Sequence, residues 1–203
     1  MKNLKNIFSF TLFVPLLIFF GKRSLIAFDE GFYALQAKWI LENNNWTDPL
    51  WWGDLSLDRT IGVQYLIALS QKIFGSKIFA IHIPTTIAAS MMIFLTYKLQ
   101  KELVKSKYRL ASPLILSSTF LWINYAHLAT QDIIFAAIIT LGIISSIYCS
   151  KLKNNIYFFI SGFWIGIAFM MKTFLVFIPL LSLLPYIFFK KKFLLNKFFW
   201  LGL

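Results

Sequence analysis

Apolar positions in this chain come in long blocks separated by short basic runs. They do not follow the one-sided stripe of a helix packed on a soluble core. Six blocks reach or approach the length that crosses a bilayer as a helix: residues 7–20, 78–97, 111–126, 133–148, 156–171 and 174–189. The pattern predicts an all-α, polytopic membrane bundle of about six transmembrane helices. The first block stops early, at Gly21-Lys22-Arg23, and lengthens to Phe28 if both cations snorkel to the headgroups. The rival reading of this end is a cleaved signal peptide, with Lys2 and Lys5 as its basic start. Leu25 and Ala27 make a poor small-x-small cleavage site for it. Phe198 to Leu203 reads as a span that has only begun. One transmembrane domain over 1–203, incomplete at its C-terminus, is therefore expected.

One connection is long, residues 29–77. Phe32, Leu35, Trp39 and Ile40 recur in it at helical spacing, which predicts an amphipathic helix at the membrane interface. Asn43-Asn44-Asn45 should end that helix and Asp48-Pro49 should turn the chain. A second helix restarts at residues 63–69 and ends near Phe74-Gly75. Long ordered loops between spans usually carry function.

Composition agrees with the pattern. Of 203 residues, 59% are hydrophobic and 14% charged, where soluble domains are nearer half and a quarter. The net charge of +12 suggests nucleic acid until its placement is read. The basic residues crowd into 98–109, 151–153 and 190–197, between apolar blocks, as topology signals do, and no nucleic-acid partner is expected. With the N-terminus in the cytoplasm, thirteen Lys and Arg fall inside and seven outside, which favours that orientation. The expected location is the plasma (inner) membrane, multi-pass. Cys149 is the only cysteine, so no intrachain disulfide or cysteine metal site exists.

The acids mark where chemistry would lie. In this orientation seven of eight (Asp29, Glu30, Glu42, Asp48, Asp54, Asp58, Asp132) fall outside, and only Glu102 inside. Carboxylates are costly in a bilayer, so acids gathered where helices emerge are candidate site residues. Asp29-Glu30 can equally be the acidic first turn of a helix, stabilised by its dipole. Asp132 sits in a tight turn after His127 and can cap the fourth span. Lys172 interrupts the apolar run from 156 to 189, as a turn residue or a snorkelling anchor. His127 with Asp29 and Asp132 has no recognised metal spacing; no metal or cofactor is expected, a divalent cation being the alternative. His82 reads as packed or interfacial. Asn45-Trp46-Thr47 is a glycosylation sequon of low specificity.

Taken in order, Ala27-Phe28-Asp29-Glu30-Gly31-Phe32-Tyr33-Ala34, Asp58-Arg59-Thr60-Ile61-Gly62, Leu66-Ile67-Ala68-Leu69 and Ile73-Phe74-Gly75 resemble the integral-membrane C-type glycosyltransferases. The nearest group holds the protein mannosyltransferases and lipid A aminoarabinose transferases. The resemblance implies sugar transfer, with inversion, from a polyprenyl-phosphate donor to a lipid, glycan or protein acceptor at the non-cytoplasmic face. It casts Asp29 as catalytic base, with Glu30 and Asp132 at the same site, and Arg59 and Lys172 against the carrier phosphate. Arg59-Thr60-Ile61 replaces the family's usual Lys-Pro-Pro, which keeps a cation and loses a rigid turn. Expected partners are the donor, membrane lipids and, for a truncated product, a separate chain supplying further spans. The alternatives are a non-catalytic membrane subunit and a lipid or sugar transporter. Gly162-x-x-x-Gly166 reads as a helix-packing face rather than a broken transport helix.

Overall fold

The computed structural model describes residues 13–17, 20–48, 50–51, 53–55, 60–104, 108, 110–152, 154–182 and 195–203. Asp58, Arg59, most of the first predicted span and the end of the sixth lie outside the described residues. The chain divides into two compact units, 1–134 and 135–203. It is an integral membrane helical protein. Three described helical segments are long and apolar enough to cross a bilayer: Ile78–Leu103, Gln131–Cys149 and Asn155–Leu181.

In the first unit a short helix α1 (Val14–Leu17) leads to Gly21, whose φ of +69° suits a residue without a side chain. α2 (Glu30–Asn43) follows and stops at Asn44, a left-handed cap of the kind Asn tolerates. Leu50–Trp51 (β1) and Asp54–Leu55 (β2) pair antiparallel around Gly53, a minimal hairpin that the apolar pattern does not signal. α3 (Gly62–Phe74) packs on α2 and on α4 (Ile78–Leu103). α2 buries Phe32, Tyr33, Gln36, Ala37 and Ile40, whereas Leu35 and Trp39 are only half-buried. Its packed face therefore differs from the stripe expected of an amphipathic helix, and it is partly polar. Gln64 Nε2 donates to Gln36 Oε1 at 2.7 Å, joining the two helices through buried amides.

Pro84 lies inside α4 and cannot donate to the carbonyl of Ala80 one turn earlier. Ser70 Oγ donates to that carbonyl at 2.6 Å. The proline thus leaves no orphan acceptor, as an apolar setting requires.

The third predicted span is not continuous. It divides into α5 (Ala111–Ser118) and α6 (Phe120–Ala126) at Thr119, whose ψ of 122° is extended. Ser117 Oγ donates to Leu114 O, and Ser118 Oγ and Thr119 Oγ1 both donate to Ile115 O. Three successive hydroxyls competing for the carbonyls of the preceding turn account for the break.

α7 (Gln131–Leu152) crosses the division between the units. In the second unit it is joined to α8 (Asn155–Lys172) by a buried Ser146–Ser161 hydroxyl pair at 2.7 Å. α8 ends at Lys172 because Thr173 takes a positive φ of 45°. A 3₁₀ turn (Thr173–Val176) and α9 (Phe177–Ser182) follow. α10 (Lys197–Gly202) lies against α8.

Candidate active site

Glu30, the first residue of α2, is completely buried. A buried carboxylate needs several donors, and this one has four. Oε1 accepts from Arg23 Nη2 at 2.6 Å, His82 Nε2 at 3.0 Å and the Ala129 N–H at 2.7 Å. Oε2 accepts from the Ile26 N–H at 2.9 Å. Arg23 Nη2 also donates to the His127 carbonyl at 2.8 Å. One side chain therefore joins the segment before α2, the start of α4 and the turn between α6 and α7. Arg23 is a buried-carboxylate partner here, not a snorkelling cation.

Burial on its own would push the Glu30 carboxyl upwards. The bonds from His82, Ala129 and Ile26 and the charge of Arg23 outweigh it and hold the group at about 2, against 4.5 for a free glutamate. Because the folded value is the lower one, this stabilisation is complete above pH ~4.5 and is lost as pH falls towards 2. The depression corresponds to about 3 kcal/mol. An acid titration of stability, by thermal melting in detergent, should show a loss in that window. Glu30→Gln, which cannot titrate, should lack that contribution and be less stable at neutral pH; a wild-type profile in Glu30→Gln would contradict the assignment.

Asp29 is the opposite case. It is exposed, it precedes α2 with φ −104° and ψ −82°, and it makes no side-chain cap bond. Phe28 before it is 92% exposed and sits at φ 64°, a region bulky residues avoid. Such a conformation costs about 1–3 kcal/mol and persists only where its surroundings impose it. The Ile26 N–H bond to Glu30 and the Gly31 N–H bond to the Ile26 carbonyl, at 3.0 Å, close the chain around Phe28 and Asp29. The adjacent acids are thus divided: Glu30 is spent on structure, and Asp29 presents an available carboxylate.

Asp132 stands in the first turn of α7, half-buried, and accepts from Thr130 Oγ1 at 3.1 Å. Its turn is the one whose Ala129 N–H is bound by Glu30. Asp48 accepts from Asn45 Nδ2 at 3.0 Å within a local turn, and Asp54 is exposed on β2. Lys172 belongs to the second unit, where its Nζ lies 5.9 Å from the centre of the Phe135 ring. Arg59 is outside the described residues. Among those described, no three His, Cys, Asp or Glu side chains are grouped to hold a metal ion.

Arg23, His82 and His127 also line a small pocket with Phe20, Gly21 and Thr86. Its volume of about 10 Å³ is close to that of one water position. His127 Nδ1 lies 2.7 Å from the Ile123 carbonyl, and its buried Nε2 has no partner among the described residues. Sequence reasoning missed Arg23, His82 and the His127 backbone as members of this assembly. A buried acid implies partners, but the local pattern does not say that Glu30 is the buried one.

The family model for dolichyl-phosphate-mannose-protein mannosyltransferases matches residues 58–203, well over half of the chain. The chain belongs to this family. Among relatives, it is 26% identical over 170 residues to the undecaprenyl phosphate-alpha-4-amino-4-deoxy-L-arabinose arabinosyl transferase of Pseudomonas aeruginosa (strain UCBPP-PA14). That match covers 81% of this chain and 31% of the relative, so the chain spans about a third of the length of the curated relatives it matches. The fold is that of ArnT from Cupriavidus metallidurans, solved in the apo state: TM-score 0.84 at 15% identity, over 99% of this chain and 38% of that one. The structure of the same protein bound to undecaprenyl phosphate matches with TM-score 0.84 at 14% identity, over 98% and 38%.

Proposed function

We propose that this chain acts as a membrane glycosyltransferase, moving a sugar from a polyprenyl-phosphate donor to a lipid, glycan or protein acceptor. The observation that carries the reading is the exposed Asp29 carboxylate beside the fully buried Glu30, in a chain of the mannosyltransferase family. Asp29 takes the proton of the acceptor nucleophile. The nucleophile attacks the anomeric carbon, the bond from that carbon to the carrier phosphate breaks, and polyprenyl phosphate leaves with inversion. General-base action needs an accessible carboxylate within reach of the reacting proton, and Asp29 is accessible where Glu30 is not. Glu30 orients the segment that carries Asp29. Asp132 is the second acid of the site, on the turn anchored by Glu30.

The leaving phosphate needs fixed positive charge as it departs. Arg59 and Lys172 supply it in this reading, Arg59 able to bind two phosphate oxygens at once. The N-terminus is cytoplasmic, the 29–77 connection faces outwards from the inner membrane, and the donor reaches the site from the lipid.

The test is binding of a polyprenyl phosphate to the protein in native membranes or mild detergent. A bond to a charged group is worth about 1.5–3 kcal/mol. The Arg59→Gln, Lys172→Gln double variant should therefore bind at least about tenfold more weakly than wild type. Wild-type affinity in the double variant would overturn the phosphate assignment.

A further inference from the structure

His82 lies in the first turns of an apolar helix and is buried, with only 5% of its surface exposed. Its Nδ1 is 3.0 Å from the Ile78 carbonyl and its Nε2 is 3.0 Å from Glu30 Oε1. Both neighbours are acceptors, and Glu30 is ionised at neutral pH. A neutral imidazole donates from one nitrogen only. An ionised carboxylate can only accept, so the Nε2 facing Glu30 is the nitrogen that donates. The charged groups around it are Glu30 at the head of α2 and Arg23 on the segment before it, while His127 lines the same pocket from the end of α6.

We propose that His82 is a positioning residue of the transferase, a buried hydrogen-bond donor that acts through Glu30 on Asp29. The inference rests on the reading of Asp29 as the base. The path is short and physical. The His82 N–H and the Arg23 guanidinium together hold Oε1 of the Glu30 carboxylate, which then binds the Ile26 N–H on one oxygen and the Ala129 N–H on the other. The first bond holds the turn in which Phe28 takes its left-handed conformation and Asp29 emerges. The second holds the turn that leads to Asp132. Removing the donor at position 82 leaves Oε1 short of one partner in a buried site, and the carboxylate is freed to shift. Catalysis is sensitive to such a shift, since a misplacement of about 1 Å can cost about a hundredfold.

His82→Leu removes both nitrogens, and His82→Gln keeps an amide N–H near the position of Nε2. Sugar transfer is measured per folded molecule in native membranes. His82→Leu should lower turnover tenfold or more, with the half-saturating donor concentration changed less than twofold. His82→Gln should recover most of the loss. In an Asp29→Asn background, His82→Leu should cost almost nothing further, because the group it positions is already absent. Unchanged turnover per folded molecule in His82→Leu, or an equal further loss in the Asp29→Asn background, would overturn the proposal. Should His82→Leu not insert, His82→Gln decides alone: turnover below a tenth of wild type in a stably folded His82→Gln variant contradicts rescue by the donor and overturns it. Failure of the parent reading looks different, since Asp29→Asn alone would then turn over like wild type.

Discussion

Gly162→Leu should fail to hold α10 against α8, with a loss of stability at or beyond the ~3 kcal/mol upper end usual for overpacking. A side chain at Gly162 would fall on the carbonyl oxygen of Phe199 and lie 3.0 Å from the Leu203 nitrogen. One at Gly202 would fall on the Phe159 carbonyl, and one at Gly166 would lie 2.7 Å from that of Leu203. These obstacles are backbone atoms, which cannot rotate away as a flexible side chain can. Small residues spaced by three let helix backbones approach in this way, and dispersion between the backbones then holds the pair. Gly142 provides the control. A Cβ there meets Ile165 and Trp164 side chains at 3.6 and 3.7 Å, an ordinary contact. Gly142→Ala should be neutral or stabilising by up to about 1 kcal/mol, from improved helix propensity. Thermal melting in detergent separates the two, and equal melting temperatures for both variants would contradict the packing account.

The helical spans were legible where hydropathy alone decides. α4, α7 and α8 fall on predicted blocks because long apolar runs leave few alternatives in a membrane. The glycine face at 162 and 166 was equally readable, whereas the apolar helical run continues past Lys172 as one segment, Asn155–Leu181. The break at Thr119 was not, because Ser117, Ser118 and Thr119 barely interrupt an apolar run. Their effect comes from where the hydroxyls bond, which a hydropathy pattern does not carry. The site was half legible. Asp29-Glu30 stood out as an acidic pair after the first span, but nothing local distinguished the exposed acid from the buried one. Of the four donors that decide it, Ile26 is four residues away, and Arg23, His82 and Ala129 are 7, 52 and 99 away. The separations of 52 and 99 are beyond any helix or hairpin spacing, so only the tertiary fold brings His82 and Ala129 to Glu30.

Asp29→Asn carries the largest functional expectation. The change keeps side-chain size and removes the proton acceptor. Asp29 has no side-chain cap bond to lose, so folding should be little affected. Were Asp29 only an acid favoured by the α2 dipole, its loss would cost about 0.3–1 kcal/mol of stability and leave activity intact. As the base it contributes about a hundred- to ten-thousandfold to rate. Asp48→Asn, an equally conservative change in a local turn, should transfer sugar at the wild-type rate.

The decisive measurement is transfer of a labelled sugar from a polyprenyl-phosphate donor in native membranes, comparing wild type, Asp29→Asn and Asp48→Asn at matched amounts of folded protein. The account predicts transfer by wild type and Asp48→Asn, and a fall of about a hundredfold or more in Asp29→Asn. Donor-dependent transfer at the wild-type rate in Asp29→Asn would contradict it.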